Sequence, residues 1–204
     1  MNKTETKKKE KSESLLNTAF QLFTTHGFSN TSIADIAKNA GVAKGTFYLY
    51  FKDKYDIRNH LIAHKSSELF TNARIAMELD PKDYNSFEEK ILFIANYVID
   101  VLDKNKILLN FISKNLSWAI FKAAIQAPIE AENGEQSVYH AYMEMIKEDG
   151  HNYEAPEVML FEIVELVSSC SYSSILYDQP LPIKKLKPFL YKTIRSIIHN
   201  HMIQ

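Results

Sequence analysis

Apolar side chains recur at steps of three and four along almost the whole 204-residue chain, a spacing that only a helix gathers onto one face. Leu15, Leu16, Ala19, Phe20 and Phe23 form one such stripe, and Ile91, Ile94, Ala95, Val98 and Leu102 form another. Strand-like alternation is scarce, and Gly27, Gly41 and Gly150 each stand where a stripe stops. The pattern predicts an all-α protein of about nine helices. The first covers residues 10–25, a short one runs from Ile33 towards Gly41, another spans 44–51, and a long one spans about 54–79. Beyond Asp80-Pro81 the stripes place helices around 91–102 and 107–112, from Leu116 to about Ala127, and from Gln136 to Glu148. Two more follow, from Pro156 to about Tyr177 and, after Pro180-Leu181-Pro182, one ending near Met202 with Pro188 inside it. A small trihelical unit thus precedes a larger bundle, with domains at 1–53 and 54–204 and the helix at about 54–79 as connector.

Composition removes whole classes of chemistry. With 46% apolar residues and 24 Lys+Arg against 25 Asp+Glu, the chain reads as soluble and globular. Its five glycines, Gly134 and Gly45 among them, cannot spell either phosphate-cradling motif. Cys170 is alone, so no internal disulfide or thiolate zinc cage is expected, and it reads as a small buried apolar residue. The start runs into charge rather than an apolar signal, and the stretch Ile91–Leu102 is too short to span a bilayer, so a cytoplasmic protein without a membrane anchor is expected. No H-E-x-x-H or G-x-S-x-G occurs, nor the two Glu-x-x-His motifs of a di-metal pair, so the chain is not expected to be an enzyme. His60 and His64 stand four apart, a spacing that can bind a metal, and His199-x-His201 reads as frayed surface; neither metal nor cofactor is expected.

Charge is unevenly placed. Residues 1–58 carry ten Lys/Arg and six Asp/Glu, whereas 59–204 carry fourteen and nineteen. A basic end on an acidic body suits a polyanion-binding module; Lys7-Lys8-Lys9 and Lys11 are equally compatible with a solvated terminus. Spacing decides more. Ala37 is small where two helices approach, Gly41 follows where a turn favours positive φ, and Phe47 can anchor the next helix, with Ile36, Ala40 and Val42 completing an inner face. Lys44, Thr46, Tyr48 and Leu49 then point outward, a set suited to phosphates and base edges in a major groove; the alternative is a purely structural helical turn. Lys54 stands at a helix start, where the dipole favours an anion.

The run Phe23-x-x-x-Gly27-Phe28, then Thr31-Ser32-Ile33-x-x-Ile36-Ala37-x-x-Ala40-Gly41-Val42-x-Lys44-Gly45-Thr46-Phe47-Tyr48-x-Tyr50-Phe51-x-x-Lys54, resembles the N-terminal DNA-binding domain of TetR-family transcriptional regulators. Tyr55 departs from a commonly acidic position and Ile57 from a usual leucine. The resemblance implies that Ser32 meets a phosphate, that Lys44, Gly45, Thr46 and Leu49 lie near base edges, and that Tyr48 and Lys54 hold the DNA backbone. It assigns Tyr50 and Phe51 to packing and makes Lys7–Lys9 an arm towards the minor groove.

It further implies a homodimer through the last two helices on a palindromic operator in double-stranded DNA. Leu160, Ile163, Val164, Val167, Ser171 and Ser174, followed by Phe189, Leu190, Ile194 and Ile197, supply an apolar stripe for that interface. Phe93, Tyr97, Phe111, Trp118, Phe121, Tyr139 and Tyr142 form either plain core or the lining of a pocket for a small-molecule effector. Glu162, Glu165 and Tyr172 share a face that either meets solvent or turns inward to such a ligand. The function expected is a ligand-responsive regulator, a repressor released from its operator by a small molecule. An activator of the same family, or a helical ligand-binding or scaffolding protein that keeps the trihelical unit, is the alternative.

Overall fold

The computed structural model describes residues 3–113, 118–126, 128–129 and 136–203. Among them ten α-helices follow one another: α1 (Lys3–Thr25), α2 (Ile33–Asn39), α3 (Lys44–Phe47), α4 (Lys54–Glu78), α5 (Phe87–Lys104), α6 (Lys106–Ser113), α7 (Trp118–Gln126), α8 (Val138–Asp149), α9 (Pro156–Tyr177) and α10 (Ile183–His201). The all-α class holds. The one extended element among these residues is a pair of two-residue antiparallel strands, β1 (Pro128–Ile129) and β2 (Gln136–Ser137), with Pro128 opposite Ser137. The expected limits Leu116 and Ala127 of the seventh helix, and Gly134, lie outside the described residues.

The chain divides into two compact units, residues 1–64 and 65–204, and the division falls inside α4 rather than at its start. In the first unit Leu15, Ala19 and Phe23 of α1, Ile36 and Ala37 of α2, Phe47, Phe51 and Ile57 are all buried. Thr31, also buried, hangs the loop before α2 on the end of α1 by donating its hydroxyl to the Gly27 carbonyl at 2.9 Å. Helix α1 begins about two turns earlier than the apolar stripe suggests, because Lys and Glu, both good helix formers, occupy positions 3, 5 and 7–11. Lys7–Lys9 are therefore helical, not a loose arm.

In the second unit α9 packs on α10, α6 and α5, and α5 also meets α6, α8 and α10. Pro156 opens α9, where its missing N–H costs nothing. At 22 residues α9 has the length to cross a membrane, yet Met159, Leu160, Ile163, Val167 and Ile175 are buried in the helical unit. Two long-range ties fix the ends. The Asp149 carboxylate at the end of α8 accepts the Phe87 N–H at 2.6 Å and the Tyr153 hydroxyl at 2.7 Å, and His151 Nδ1 lies 2.8 Å from it. Glu154 donates its N–H to the His201 carbonyl at 2.7 Å, and Ile203 donates to Asn152 at 2.9 Å. The His201 ring lies between the Glu154 carbonyl and the Glu162 carboxylate, at 2.7 and 3.1 Å. His201 is thus a tied, half-buried residue instead of frayed surface, whereas His199 is exposed beside Glu88. Cys170 is half-buried, and burial pushes its thiol upward, away from thiolate.

Candidate nucleic-acid interface

Helix α2 starts on a capping box. The Ser32 Oγ accepts the Asp35 N–H at 3.1 Å, and the Ser32 N–H donates to Asp35 Oδ2 at 3.0 Å. The Ser32 hydroxyl donates its one proton to the same Asp35 oxygen at 2.6 Å, and that bond, ahead of the backbone one, holds the Asp35 carboxyl below the usual range. The expected phosphate contact from the Ser32 side chain therefore has a competitor: its proton is committed, and a carboxylate stands beside it. In this structure Ser32 fixes where α2 begins.

The turn follows from one backbone angle. Gly41 has φ +70° and open space where a Cβ would sit, so glycine is required for the angle, not for room. Val42 then donates to the Ala37 carbonyl at 2.9 Å, and α3 rises from Ala43 with Phe47 fully buried. Ile36 and Ala37 are buried with it, while Ala40 and Val42 are half-buried. After Phe47 the chain tightens into turns closed by Leu49 N–H to Thr46 and Tyr50 N–H to Phe47, so the helix is shorter than the expected 44–51. Lys44 and Gly45 are exposed, Thr46 is half-buried, and Tyr48 and Leu49 are 51% and 77% exposed. A cation, a hydroxyl, a phenol and an unshielded leucine, which the sequence grouped by spacing, share one short segment anchored by Phe47. Tyr50 is half-buried and Phe51 buried.

Lys54 is where the structure departs most from expectation. Its ammonium donates to the carbonyls of Phe28 and Thr31 at 2.7 and 2.9 Å, reaches Ser29 O at 3.5 Å, and lies 4.5 Å above the Phe28 ring. Its three protons are thus directed at the protein's own loop. The start of α4 is also filled: Asp53 Oδ1 accepts the N–H groups of Tyr55 and Asp56 at 2.7 and 2.8 Å. Tyr55, the departure from the motif, lies 5.1 Å from the Phe28 ring, and the Arg58 guanidinium stands 4.9 Å above that ring. Lys54 holds the loop between α1 and α2 in place, a role that a lone lysine at a helix start does not disclose. His60 is likewise engaged, with Nδ1 2.9 Å from the Asp56 carbonyl.

The second unit contains a cavity of about 120 Å³. Aliphatic side chains dominate its wall: Leu69 on α4, Ile91, Ile94, Ala95, Val98 and Leu102 on α5, Ile112 on α6, and Leu160, Ile163, Val164 and Val167 on α9, with Phe70 and Phe121 as the aromatic members. Ser66, Ser113 and Ser168 are the polar lining residues, and none of the lining residues is charged.

Of the residues expected to line a pocket, Phe121 does. The others sit elsewhere. Phe93 packs on Tyr84 with ring centroids 4.9 Å apart, Tyr142 is fully buried with its hydroxyl donated to the Pro156 carbonyl at 2.8 Å, and Phe111 is buried outside the cavity wall. Tyr97, Trp118, Tyr139 and Tyr172 are half-buried, and Tyr172 lies against Tyr177 at 5.9 Å between centroids. Glu162 and Glu165 are exposed, the outward one of the two orientations left open.

The stripe expected at a subunit interface is mostly inside one chain. Leu160, Ile163, Val167, Ser171, Ser174, Leu190 and Ile194 are buried, Val164 and Ile197 are half-buried, and Phe189 alone of the set is exposed, at 62%. Side chains already covered by their own fold have no surface left for a second copy. The apolar surface that α9 and α10 do expose is Val158, Phe161, Tyr177 and Phe189.

Residues 15–61 match the family described as bacterial regulatory proteins, tetR family. Over 89 residues the chain is 33% identical to the fatty acid metabolism regulator protein of Bacillus subtilis, a stretch covering 44% of this chain and 44% of that protein. The match therefore spans less than half of that relative's length. Among solved structures that share the fold are the fatty acid degradation regulator FadR of Bacillus halodurans (TM-score 0.60, 21% identity, 90% of this chain and 94% of that one) and FadR of Bacillus subtilis in complex with stearoyl-CoA (TM-score 0.55, 18% identity, 92% and 99%). The helix-turn-helix domain whose capping box, Gly41 turn and exposed short helix are described above is thus, over residues 15–61, a domain of the tetR family of bacterial regulatory proteins.

Proposed function

We propose that this chain is a ligand-responsive DNA-binding transcriptional regulator, a repressor that binds a palindromic operator as a homodimer and leaves it when a small molecule occupies the C-terminal unit. The observation that carries the reading is the exposed set Lys44, Tyr48 and Leu49, with Thr46 beside them, on a segment whose inner face is locked by Phe47. A leucine left almost wholly in water next to a lysine and a phenol has a use in a major groove, where it covers a thymine methyl. Lys44 and Tyr48 supply phosphate contacts, and Thr46 and Leu49 read base edges. Ser32 and Lys54 act on this reading as positioning residues, one setting the start of α2 and the other the loop before it.

The cavity supports the ligand-responsive part. Helix α4 starts in the first unit and brings Ser66, Leu69 and Phe70 to the cavity wall, so a ligand acts on the same helix that Lys54 anchors. A difference of about 1–3 kcal/mol in ligand affinity between two positions of α4 is enough for a working switch. Similarity to regulators of fatty acid metabolism, one of them solved with stearoyl-CoA, supports an apolar effector. The exposure of Phe161 and Phe189 supports a second copy that docks there rather than on the buried stripe.

Selection of DNA fragments by the purified chain tests the reading. Recovery of a palindrome whose half-sites are about one helical turn apart is the expected result. Recovery of random fragments at low salt and of nothing at physiological salt returns the chain to the ligand-binding or scaffolding class.

A further inference from the structure

Among the described residues, one that lines the cavity carries a buried polar atom with nothing to bond to. The Ser66 hydroxyl oxygen is buried and without a hydrogen-bond partner, in a side chain that is 7% exposed and lines the cavity. A serine inside a helix ordinarily turns its hydroxyl back to the carbonyl four residues earlier; Ser66 does not, and a buried hydroxyl left unpaired is a standing cost. Everything around it is apolar apart from Ser113 and Ser168. Charge is absent in a second sense. Lys65, Lys90 and Lys122 adjoin lining residues in the sequence, and each is held by a carboxylate: Lys65 by Glu68 at 2.8 Å, Lys90 by Glu148 at 2.7 Å and Lys122 by Glu157. Among the described residues no cation faces into the cavity to receive an acid, and Glu162 and Glu165 are in solvent, where they cannot receive a base.

We propose that the cavity takes an uncharged, mainly apolar molecule carrying one carbonyl or hydroxyl oxygen, and that Ser66 recognises that oxygen by donating its hydroxyl proton to it. This deepens the ligand-responsive reading above and rests on it. The chemistry is selective in two directions. A hydrocarbon of the same shape leaves Ser66 unpaired, and a carboxylate brings a charge into a wall that, among the described residues, offers no cation to pair with it. The cavity is close in volume to an engineered, Leu/Ile/Phe-lined cavity of about 150 Å³ that stays dry and binds benzene, so probes of that size enter it as it stands. The unpaired hydroxyl of Ser66 also sets orientation: the oxygen lies at α4 and the apolar body lies among α5, α6 and α9.

Isothermal titration of the full chain with three monosubstituted benzenes, acetophenone, ethylbenzene and benzoate, tests this at neutral pH. Acetophenone binds roughly three- to tenfold tighter than ethylbenzene, the range expected of one added hydrogen bond, and benzoate gives no measurable heat. In Ser66→Ala the preference for acetophenone over ethylbenzene disappears, and because it is a ratio within one variant it is insensitive to a general loss of stability. Benzoate binding as tightly as acetophenone, a preference that survives Ser66→Ala, or no binding of any probe overturns the proposal. Operator release is read in parallel. Probes that bind in the expected order while DNA stays bound remove the regulatory reading and keep the cavity's chemistry; release by benzoate with no preference for acetophenone keeps the regulatory reading and removes the role of Ser66.

Discussion

The ammonium of Lys54 donates to the Phe28 carbonyl at 2.7 Å while lying 4.5 Å above the Phe28 ring. One side chain thereby closes a loop whose carbonyls would otherwise face water, and it does so from the first residue of α4. Lys54→Met keeps most of the apolar stem of the side chain and deletes the donors. It is expected to destabilise the N-terminal unit by about 1–3 kcal/mol in urea denaturation, with the salt slope of DNA binding unchanged. A slope lowered by about one, with stability intact, shows that Lys54 leaves the loop for a phosphate in the complex.

Lys44 gives the contrasting result. Exposed and on the outward face of α3, it releases a counterion when it meets a phosphate, so Lys44→Ala lowers the slope of log affinity against log salt by about 0.9. Thr46→Ala and Leu49→Ala instead relax base preference at one position in each half-site, by about 1–3 kcal/mol. Competition gel shifts with single-base operator variants separate the two behaviours.

Gly41 isolates a conformational cost. Because a Cβ there meets nothing, Gly41→Ala pays for φ +70° alone, about 1–2 kcal/mol, and Gly41→Asn pays less. Thermal denaturation that ranks Gly, Asn and Ala in that order is the expected outcome; equal stability of all three means that the turn relaxes to another angle.

Asp149 makes stability depend on acid. Burial pushes its carboxyl upward, but the Phe87 N–H, the Tyr153 hydroxyl and the His151 ring outweigh that and hold it below the usual range. A depressed folded value contributes stability that is complete above the unfolded value, about pH 4, and is lost as pH falls through the folded one. Asp149→Ala should therefore cost on the order of 2–3 kcal/mol at neutral pH, and the difference from wild type should shrink in acid below about pH 4. A difference that stays constant down to pH 2 assigns the effect to packing.

Phe189 and Ile163 separate an interface from a core. Phe189→Glu adds charge to an exposed position and is expected to yield folded monomer by sedimentation, with operator affinity lost. Ile163→Asp places a charge on a buried cavity-lining position and is expected to unfold the C-terminal unit. An intact dimer for Phe189→Glu moves the second copy to another face.

Legibility in the sequence followed the range of the interaction. Helices announced by stripes and glycines, such as that from Pro156 to Tyr177, were readable because their signals lie within a turn or two of each other. The outward set on α3 was readable for the same reason, since Phe47 fixes which way its neighbours point. The cavity was not. Ile91, Ile94, Ala95, Val98 and Leu102 read as core, and they do form one helical face; what no stripe reveals is that the helices opposite leave a gap in front of it. A void is a difference of volumes between elements distant in sequence, and aromatic residues, the natural suspects for a binding wall, here mostly pack on one another. The loop contacts of Lys54 were hidden for a related reason: its partners lie 23 and 26 positions away. His201 escaped too, since its tie to Glu154 crosses 47 positions.

The rings of Trp118 and Phe121 lie 5.6 Å apart, and Phe121 is part of the cavity wall, so the one indole in 204 residues stands a single side chain away from whatever enters. The protein is in consequence its own optical gauge. Emission excited at the red edge of the absorption band, where tyrosine is dark, comes from that one fluorophore, and its colour and lifetime respond to a change beside Phe121 without averaging over others. Crude metabolite fractions can then be ranked by the wavelength they impose on unlabelled protein before any of their components has been identified.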